Sequence, residues 1–377
     1  MAKKILCPDC INRVDPQKLY YYCRSFGEVI EAITTKEKKN GVKCRTDGCN
    51  NAHIILQICP YCYKNENDIN IIPNEFIDCD TINLNLIGGN CSGSTNYLHI
   101  MLNELSIMNG IVTTPITAQT KETHNTIYED IYINHEKPPP TVCGYTESSI
   151  WKLKNINKKK GNKVFTKLFN IYNGAGEDYC DMIINPQIER IITESNLIIF
   201  VIDPLEFDGL RNSLNDDDYQ TSTFDQYAQS SKIRFNSLNI ISNVADCIRV
   251  HRGINNYKTI DMLVAVVFSK MDLFFDKFKV DLPNVSQINP HNRLGHFDSK
   301  DCEIVNKEMR AWINNFAPSF ITLLDANFNA KKCKFFGISS YGSPPKSEIE
   351  LPNEILPHRV LDPILWLLAE KGFIDKI

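Results

Sequence analysis

The chain is patterned as strands that run into glycines or small polar residues. "TINLNLIGG" alternates apolar and polar positions into a glycine pair, as a strand entering a core does. "NLIIFVID" and "MLVAVVF" are unbroken apolar runs of strand length, as central parallel strands show. "KCKFFGISSYG" is a further strand, and "SSIWKLKNINKKKGNKVFTKLFNIYNGAGED" reads as two β-runs joined by a Lys/Gly/Asn turn. "NYLHIMLNEL" places Leu98, Met101, Leu102 and Leu105 at helical spacing. The pattern predicts core strands near 83–88, 149–155, 164–172, 197–202, 263–269 and 334–338, with helices on both faces, a three-layer α/β domain.

Chemistry-bearing residues follow the strand ends. Gly88-Gly89-Asn90-Cys91-Ser92-Gly93-Ser94-Thr95 fits G-x-x-x-x-G-K-[ST] except that Ser94 stands where the lysine would be. Between a strand and a helix, such a loop offers backbone N–H groups and a helix N-terminus to an anion. Thr95 keeps the hydroxyl that would ligate Mg²⁺. The second hairpin strand ends in Asn173-Gly174-Ala175-Gly176-Glu177. That keeps the glycine of a D-x-x-G motif and replaces its aspartate. Ser269-Lys270-Met271-Asp272 fits [NT]KxD with serine leading, where Asp272 would accept two hydrogen bonds from guanine and the Lys270 stem would cover the base. Ser339 and Ser340 end the last strand as a second base-contacting loop. The lysine run 158–160 reads as the solvated hairpin turn, and "NDDDY" as a solvated acidic loop.

Composition changes the picture at the N-terminus. Seven of the fourteen cysteines fall in the first 62 residues: Cys7, Cys10, Cys23, Cys44, Cys49, Cys59 and Cys62. "CPDC" and "CPYC" are knuckles that can each give two thiolates to a tetrahedral Zn²⁺. One partition groups Cys44, Cys49, Cys59 and Cys62, leaving Cys7, Cys10, Cys23 and His53. A partition pairing the two knuckles is equally allowed. The Pro- and Asp-bearing segment "NIIPNEFIDCD" separates this module, 1–80, from the α/β domain, 81–377. Apolar residues at 43%, charged residues at 23% and a net charge of −4 describe an ordinary globular chain. They call for neither nucleic acid nor an anionic membrane. No apolar leader or bilayer-length run is present, so the chain reads as cytoplasmic. The module is not notably basic beyond "TTKEKKNGVKCR", which argues against nucleic acid as its partner.

With these motifs, and with the closing "HRVLDPILWLLAEKGFI", nearly the whole chain resembles the bacterial double-GTPase family, a branch of the translation-factor-like P-loop GTPases. The resemblance implies a P-loop GTPase-like domain behind a zinc-ribbon module, with GTP or GDP and magnesium as ligands beside zinc. It also implies a setting in bacterial conflict or defence clusters, and a protein partner that is in some systems a second related GTPase. Ser94 for lysine, Asn173 for aspartate and Gly174 for threonine depart from that family on its γ-phosphate and Mg²⁺ machinery.

A lysine bridging phosphates makes charge-assisted hydrogen bonds of about 1.5–3 kcal/mol each, so losing one predicts roughly 10- to 150-fold weaker binding. Hydrolysis suffers more, because phosphoryl transfer rests on positioned positive charge and metal. Glu177 sits where some GTPases position the attacking water. Thr113, Thr114 and Thr117 are candidates for a first switch. Three readings follow: a degenerate guanine-nucleotide-binding subunit, an active GTPase with partner-supplied charge, and an interaction module that binds no nucleotide.

Overall fold

A computed structural model describes residues 4–30, 42–46, 49, 55–63, 71–89, 92–139, 147–160, 163–180, 185–214, 237–287, 295–347 and 349–377. The chain divides into two compact units, Met1–Thr81 and Ile82–Ile377.

The first unit is built from short strands. β1 (Ile5–Leu6) pairs antiparallel with β2 (Arg13–Val14). A four-stranded antiparallel sheet follows, ordered β4-β3-β5-β6, from β3 (Tyr20–Cys23), β4 (Glu28–Ile30), β5 (Ile55–Ile58) and β6 (Ile71–Ile72). Strands of two to four residues bury little apolar surface, so a unit this small needs a further source of stability.

The second unit carries a seven-stranded sheet ordered β14-β12-β11-β7-β10-β9-β8. Its strands are β7 (Asp80–Gly88), β8 (Ile111–Pro115), β9 (Glu147–Lys160), β10 (Lys163–Gly174), β11 (Leu197–Ile202), β12 (Leu263–Phe268) and β14 (Cys333–Gly337). β7, β11, β12 and β14 run parallel, and β8, β9 and β10 form an antiparallel meander. A small parallel pair, β13 (His296–Phe297) with β15 (Asp375–Lys376), lies apart from this sheet.

β11 shows why both faces are covered. Leu197, Ile199 and Val201 enter one buried cluster, while Ile198, Phe200 and Ile202 enter the other. Each such side chain contributes about 1.5–3 kcal/mol when fully buried. The first cluster is closed by α1 (Ser94–Ser106) and α7 (Asp362–Glu370). Against the second pack α3 (Pro186–Glu194), α4 (Ser237–Arg252), α5 (Ser299–Phe316) and α6 (Pro318–Asn327). A remaining helix, α2 (Ala118–Glu129), starts at Thr117, whose hydroxyl accepts from the Thr120 N–H at 3.0 Å. Among the described residues no helix is long and apolar enough to cross a membrane.

The sequence pattern departs from the structure in two places. The polar positions of "TINLNL" are not solvated: Asn83 and Asn85 are buried because helices cover that face too. Their polar groups are met inside only in part, Asn83 Oδ1 and Asn85 Nδ2 having no hydrogen-bond partner among the described residues. The Asn196 side chain accepts from Asn83 N–H at 2.8 Å, and Asn85 Oδ1 accepts from the Tyr179 hydroxyl at 3.1 Å. The second departure is β8. Thr113 and Thr114, candidates for a first switch, lie in this edge strand, which the pattern did not predict, paired with Leu153 and Lys152 of β9.

The chain path fixes where a ligand would go. From β7 it runs out to β8 and returns through β9 and β10 on one side, then crosses to β11 and proceeds to β12 and β14 on the other. The direction reverses beside β7. In open α/β sheets the crevice beyond the carboxyl ends of the strands at such a point is where ligands bind.

Candidate functional site

In the first unit the two knuckles come together. Cys7, Cys10, Cys59 and Cys62 place their sulfurs within 4.8 Å of one another. Cys7 and Cys62 are 3.6 Å apart, and Cys10 and Cys59 are 3.7 Å apart. Thiolates at tetrahedral distance around one Zn²⁺ stand about 3.8 Å apart, whereas disulfide sulfurs stand at about 2.05 Å. The donor set and spacing therefore fit zinc. Both knuckles turn alike, Ile11 N–H donating to Cys7 O and Tyr63 N–H to Cys59 O, each at 3.1 Å. Of the two partitions the sequence allows, this is the one that pairs the knuckles.

Cys23, Cys44 and Cys49 form a second group. Cys23 and Cys49 are 3.9 Å apart, and the Cys44 thiol donates to Glu28 Oε2 at 2.9 Å. The same carboxylate oxygen accepts from Arg45 N–H, Thr46 N–H and the Thr46 hydroxyl, which fixes the turn carrying Cys44. His53 lies outside the described residues.

In the second unit, the loop after β7 is tightly wound. Ser92 N–H donates to Gly89 O at 3.1 Å, and Gly93 turns left-handed at φ 81 before α1 begins. Its carbonyl accepts from Tyr97 N–H at 2.9 Å, so the helix starts directly beyond the loop. Ser92 is buried and its hydroxyl has no hydrogen-bond partner among the described residues. Ser94 lies low against the strand: a Cβ on Gly88 would stand 2.9 Å from Ser94 Cβ and 2.2 Å from Ser92 Oγ. Asn90 and Cys91 lie outside the described residues. The helix N-terminus and the buried, unpartnered hydroxyl suit an anion.

β10 delivers its end to the same place. Asn173 Nδ2 donates to Thr95 Oγ1 at 3.3 Å. A Cβ on Gly176 would lie 2.5 Å from Gly88 O and 2.8 Å from Gly89 Cα, so only glycine allows this approach. Glu177 opens a single-turn helix, Glu177–Cys180, and is half-buried.

The third group lies beyond β12 and β14. Lys270 is left-handed at φ 54. Ser269 N–H and its hydroxyl both donate to Ile202 O, at 3.0 and 3.2 Å, and Met271 N–H donates to Ile338 O at 3.0 Å. Those bonds tie the loop to β11 on one side and to the end of β14 on the other. Asp272 is half-buried, and burial raises its carboxyl above the usual range, opposed by the Ser339 hydroxyl that donates to it. Ser339 is free to donate because Gly342 N–H supplies the bond its oxygen accepts, at 2.8 Å. Ser340 follows, half-buried.

The predicted residues thus fall on the ends of β7, β10, β12 and β14, with Thr95 and Asn173 in direct contact. Sequence reasoning missed three supporting groups. Tyr179 is wholly buried beneath Gly174, with its hydroxyl on Asn85, and burial raises its phenol pKa well above the ordinary range. Asn243 of α4 donates to the carbonyls of Tyr179 and Cys180 at 3.1 and 2.9 Å. Asp203, directly after β11, contacts Lys270 at 2.5 Å. Only Asp203 had a sequence signal, an acid immediately after a buried apolar run.

No family profile matches the chain, and no curated protein matches it. Solved structures do. They include the GTPase-like domain of S. cerevisiae Ski7 bound to GDP and inorganic phosphate, at 11% identity and a TM-score of 0.34 over 78% of this chain. The same domain bound to GTP matches at 10% identity and a TM-score of 0.35 over 78% of this chain. Both matches span 50% of the Ski7 chains. The SRb-GTP/SRX complex of the signal recognition particle receptor from Chaetomium thermophilum matches at 10% identity and a TM-score of 0.29, over 71% of this chain and 93% of that one. At so low a similarity, function has to be argued from this chain's own residues.

Proposed function

We propose that the second unit is a degenerate GTPase-like domain that binds a guanine nucleotide at the carboxyl end of its sheet and hydrolyses it weakly or not at all. One observation carries this reading: Thr95 and Asn173, from two separate motifs, touch at the reversal point of the sheet.

In this reading Gly88, Asn90, Cys91, Ser92, Gly93, Ser94 and Thr95 hold the phosphates through N–H groups and hydroxyls. Asp272 takes the guanine edge, with Lys270, Ser339 and Ser340 framing the base. Magnesium, when bound, would supply positive charge that offsets the phosphates. Thr95 would supply its protein ligand, with Asn173 and Gly176 beside it. Thr95 would offer its hydroxyl oxygen, on which the Asn173 amide N–H already donates, and Asn173 its carbonyl oxygen, though neither brings the negative charge an aspartate would. Glu177 would orient a water in this reading, with serine instead of a cation at position 94. Positioned charge dominates phosphoryl transfer, so binding outlasts turnover.

The Cys7/Cys10/Cys59/Cys62 and Cys23/Cys44/Cys49 groups would hold structural zinc, making the first unit a zinc-ribbon module. The motif resemblance supports membership of the bacterial double-GTPase family. It also supports a cytoplasmic role as switch or scaffold with a protein partner in a defence system.

Titration calorimetry with GDP and a non-hydrolysable GTP analogue, with and without Mg²⁺ and with ATP as control, tests the reading. Guanine-selective binding is expected. Absence of binding up to millimolar nucleotide overturns it and leaves an interaction module.

A further inference from the structure

We infer that Asp203, outside every recognised motif, is a positioning residue that sets guanine selectivity by holding Lys270; this rests on the nucleotide reading above.

β11 and β12 are parallel neighbours in register, Ile202 opposite Phe268, so the residues after each strand emerge side by side. Asp203 is the first residue past β11, and Lys270 the second past β12. Lys270 Nζ meets Asp203 Oδ2 at 2.5 Å, and both side chains are largely buried, at 18% and 13% exposure. The other carboxylate oxygen of Asp203 accepts from Leu205 N–H at 3.0 Å and caps the 3₁₀ turn Pro204–Glu206. The carboxylate is therefore fixed from its own side and serves as a rigid post.

What it holds is a strained loop. Lys270 adopts φ 54, a left-handed conformation that a residue with a Cβ rarely takes. The conformation carries the chain from the β12 end into the turn Met271–Leu273 that presents Asp272. Three contacts help keep this geometry: Ser269, through its N–H and hydroxyl, to Ile202 O; Met271 N–H to Ile338 O; and Lys270 to Asp203. The first two are made largely by backbone and available to many sequences. The third is a charge pair between two particular side chains. It anchors the end of the Lys270 side chain, whose stem is the part expected to lie against the base.

Glu206 stands close by, bonded to the Ser237 hydroxyl, with its carboxyl pushed up to about 7 by burial. Near neutral pH it is partly protonated. Asp203, which touches the lysine directly, is the anion that orients it.

The consequence concerns discrimination more than stability. With Asp203 neutralised, Lys270 and Asp272 would sample more than one arrangement, and recognition of the guanine edge would weaken. The test compares GDP with IDP, which lacks the 2-amino group, by calorimetry on the full chain. Wild type is expected to prefer GDP. Asp203→Asn is expected to shrink that preference about tenfold or more, the scale of one lost charge-assisted bond, and Asp203→Glu to restore part of it. The double variant Asp203→Asn/Lys270→Met leaves no charge unpaired, so it folds even if the single variant does not. Its GDP/IDP ratio is expected to be low as well. An unchanged ratio in either folded variant, with a lowered melting temperature only, overturns the inference and leaves the nucleotide reading standing. A wild type that binds no guanine nucleotide removes that reading and this inference with it.

Discussion

Gly176 lies so close to Gly88 that a Cβ on it would stand 2.5 Å from the Gly88 carbonyl oxygen. Through that contact the end of β10 rests on the loop after β7, two segments nearly ninety residues apart. Gly176→Ala must push one of them away, because backbone cannot yield as a flexible side chain can. Nucleotide affinity is expected to fall about tenfold or more, with the melting temperature lowered by only a few degrees. Calorimetry and thermal unfolding on one preparation check this. Full affinity in the alanine variant would separate the β10 end from the site.

Ser94→Lys restores a cation where the loop meets α1. A triphosphate analogue is expected to bind roughly 10- to 150-fold tighter, and GDP to gain less, because γ-phosphate contacts are absent. Equal affinity for the analogue in both proteins would mean that the loop does not cradle phosphates.

Metal content tests the cysteine groups. Native mass spectrometry is expected to find zinc in the full chain, and Cys59→Ser to lose one equivalent, since it removes a ligand from the four-sulfur set. Structural zinc contributes about 10–16 kcal/mol of apparent binding energy in small modules. Chelation should therefore unfold the first unit and expose it to protease. A chain that stays metal-free and protease-resistant would rule out a structural role for zinc.

A buried histidine and a half-buried glutamate give the stability a shaped pH profile. Burial, reinforced by His124, pushes His99 down to about 3, while burial pushes Glu206 up to about 7. For His99 the folded form holds its proton less tightly than the unfolded form. Its contribution is complete above about 6.5 and is lost as pH falls toward 3. For Glu206 the folded form holds the proton more tightly, so its contribution is present below about 4.5 and is lost as pH rises through 7. Between about 4.5 and 6.5 the two slopes oppose and nearly cancel. Denaturant titrations should show Glu206→Gln gaining stability with pH across that window and His99→Gln losing it. Identical profiles for both variants and wild type would mean that neither group is coupled to folding.

Legibility in the sequence followed periodicity. β7, β9, β10, β11, β12 and β14 were readable because each alternates apolar with polar positions or runs unbroken and apolar, and most end in glycine or a small polar residue. Motifs at strand ends could be placed without knowing which strands are neighbours. β8 was not readable: Ile111–Pro115 is short, half exposed and rich in threonine, so its strand character comes from pairing with β9. Tyr179 and Asn243 were hidden for a similar reason. A tyrosine in a one-turn helix and an asparagine inside α4 carry no local pattern. Their roles arise only when α4 packs over the Glu177–Cys180 turn.

By itself the sequence determined the α/β alternation, the loop with serine in place of lysine, the SKMD turn and a cysteine-dense N-terminus. Those are properties of short segments, set by side-chain period and backbone preference. Tertiary structure decided what those segments meet. It joined the knuckles at 7–10 and 59–62 instead of grouping neighbours in sequence, and it set Asn173 against Thr95 and Asp203 against Lys270. Such pairings depend on strand order, because side-by-side strands bring together residues that lie far apart along the chain.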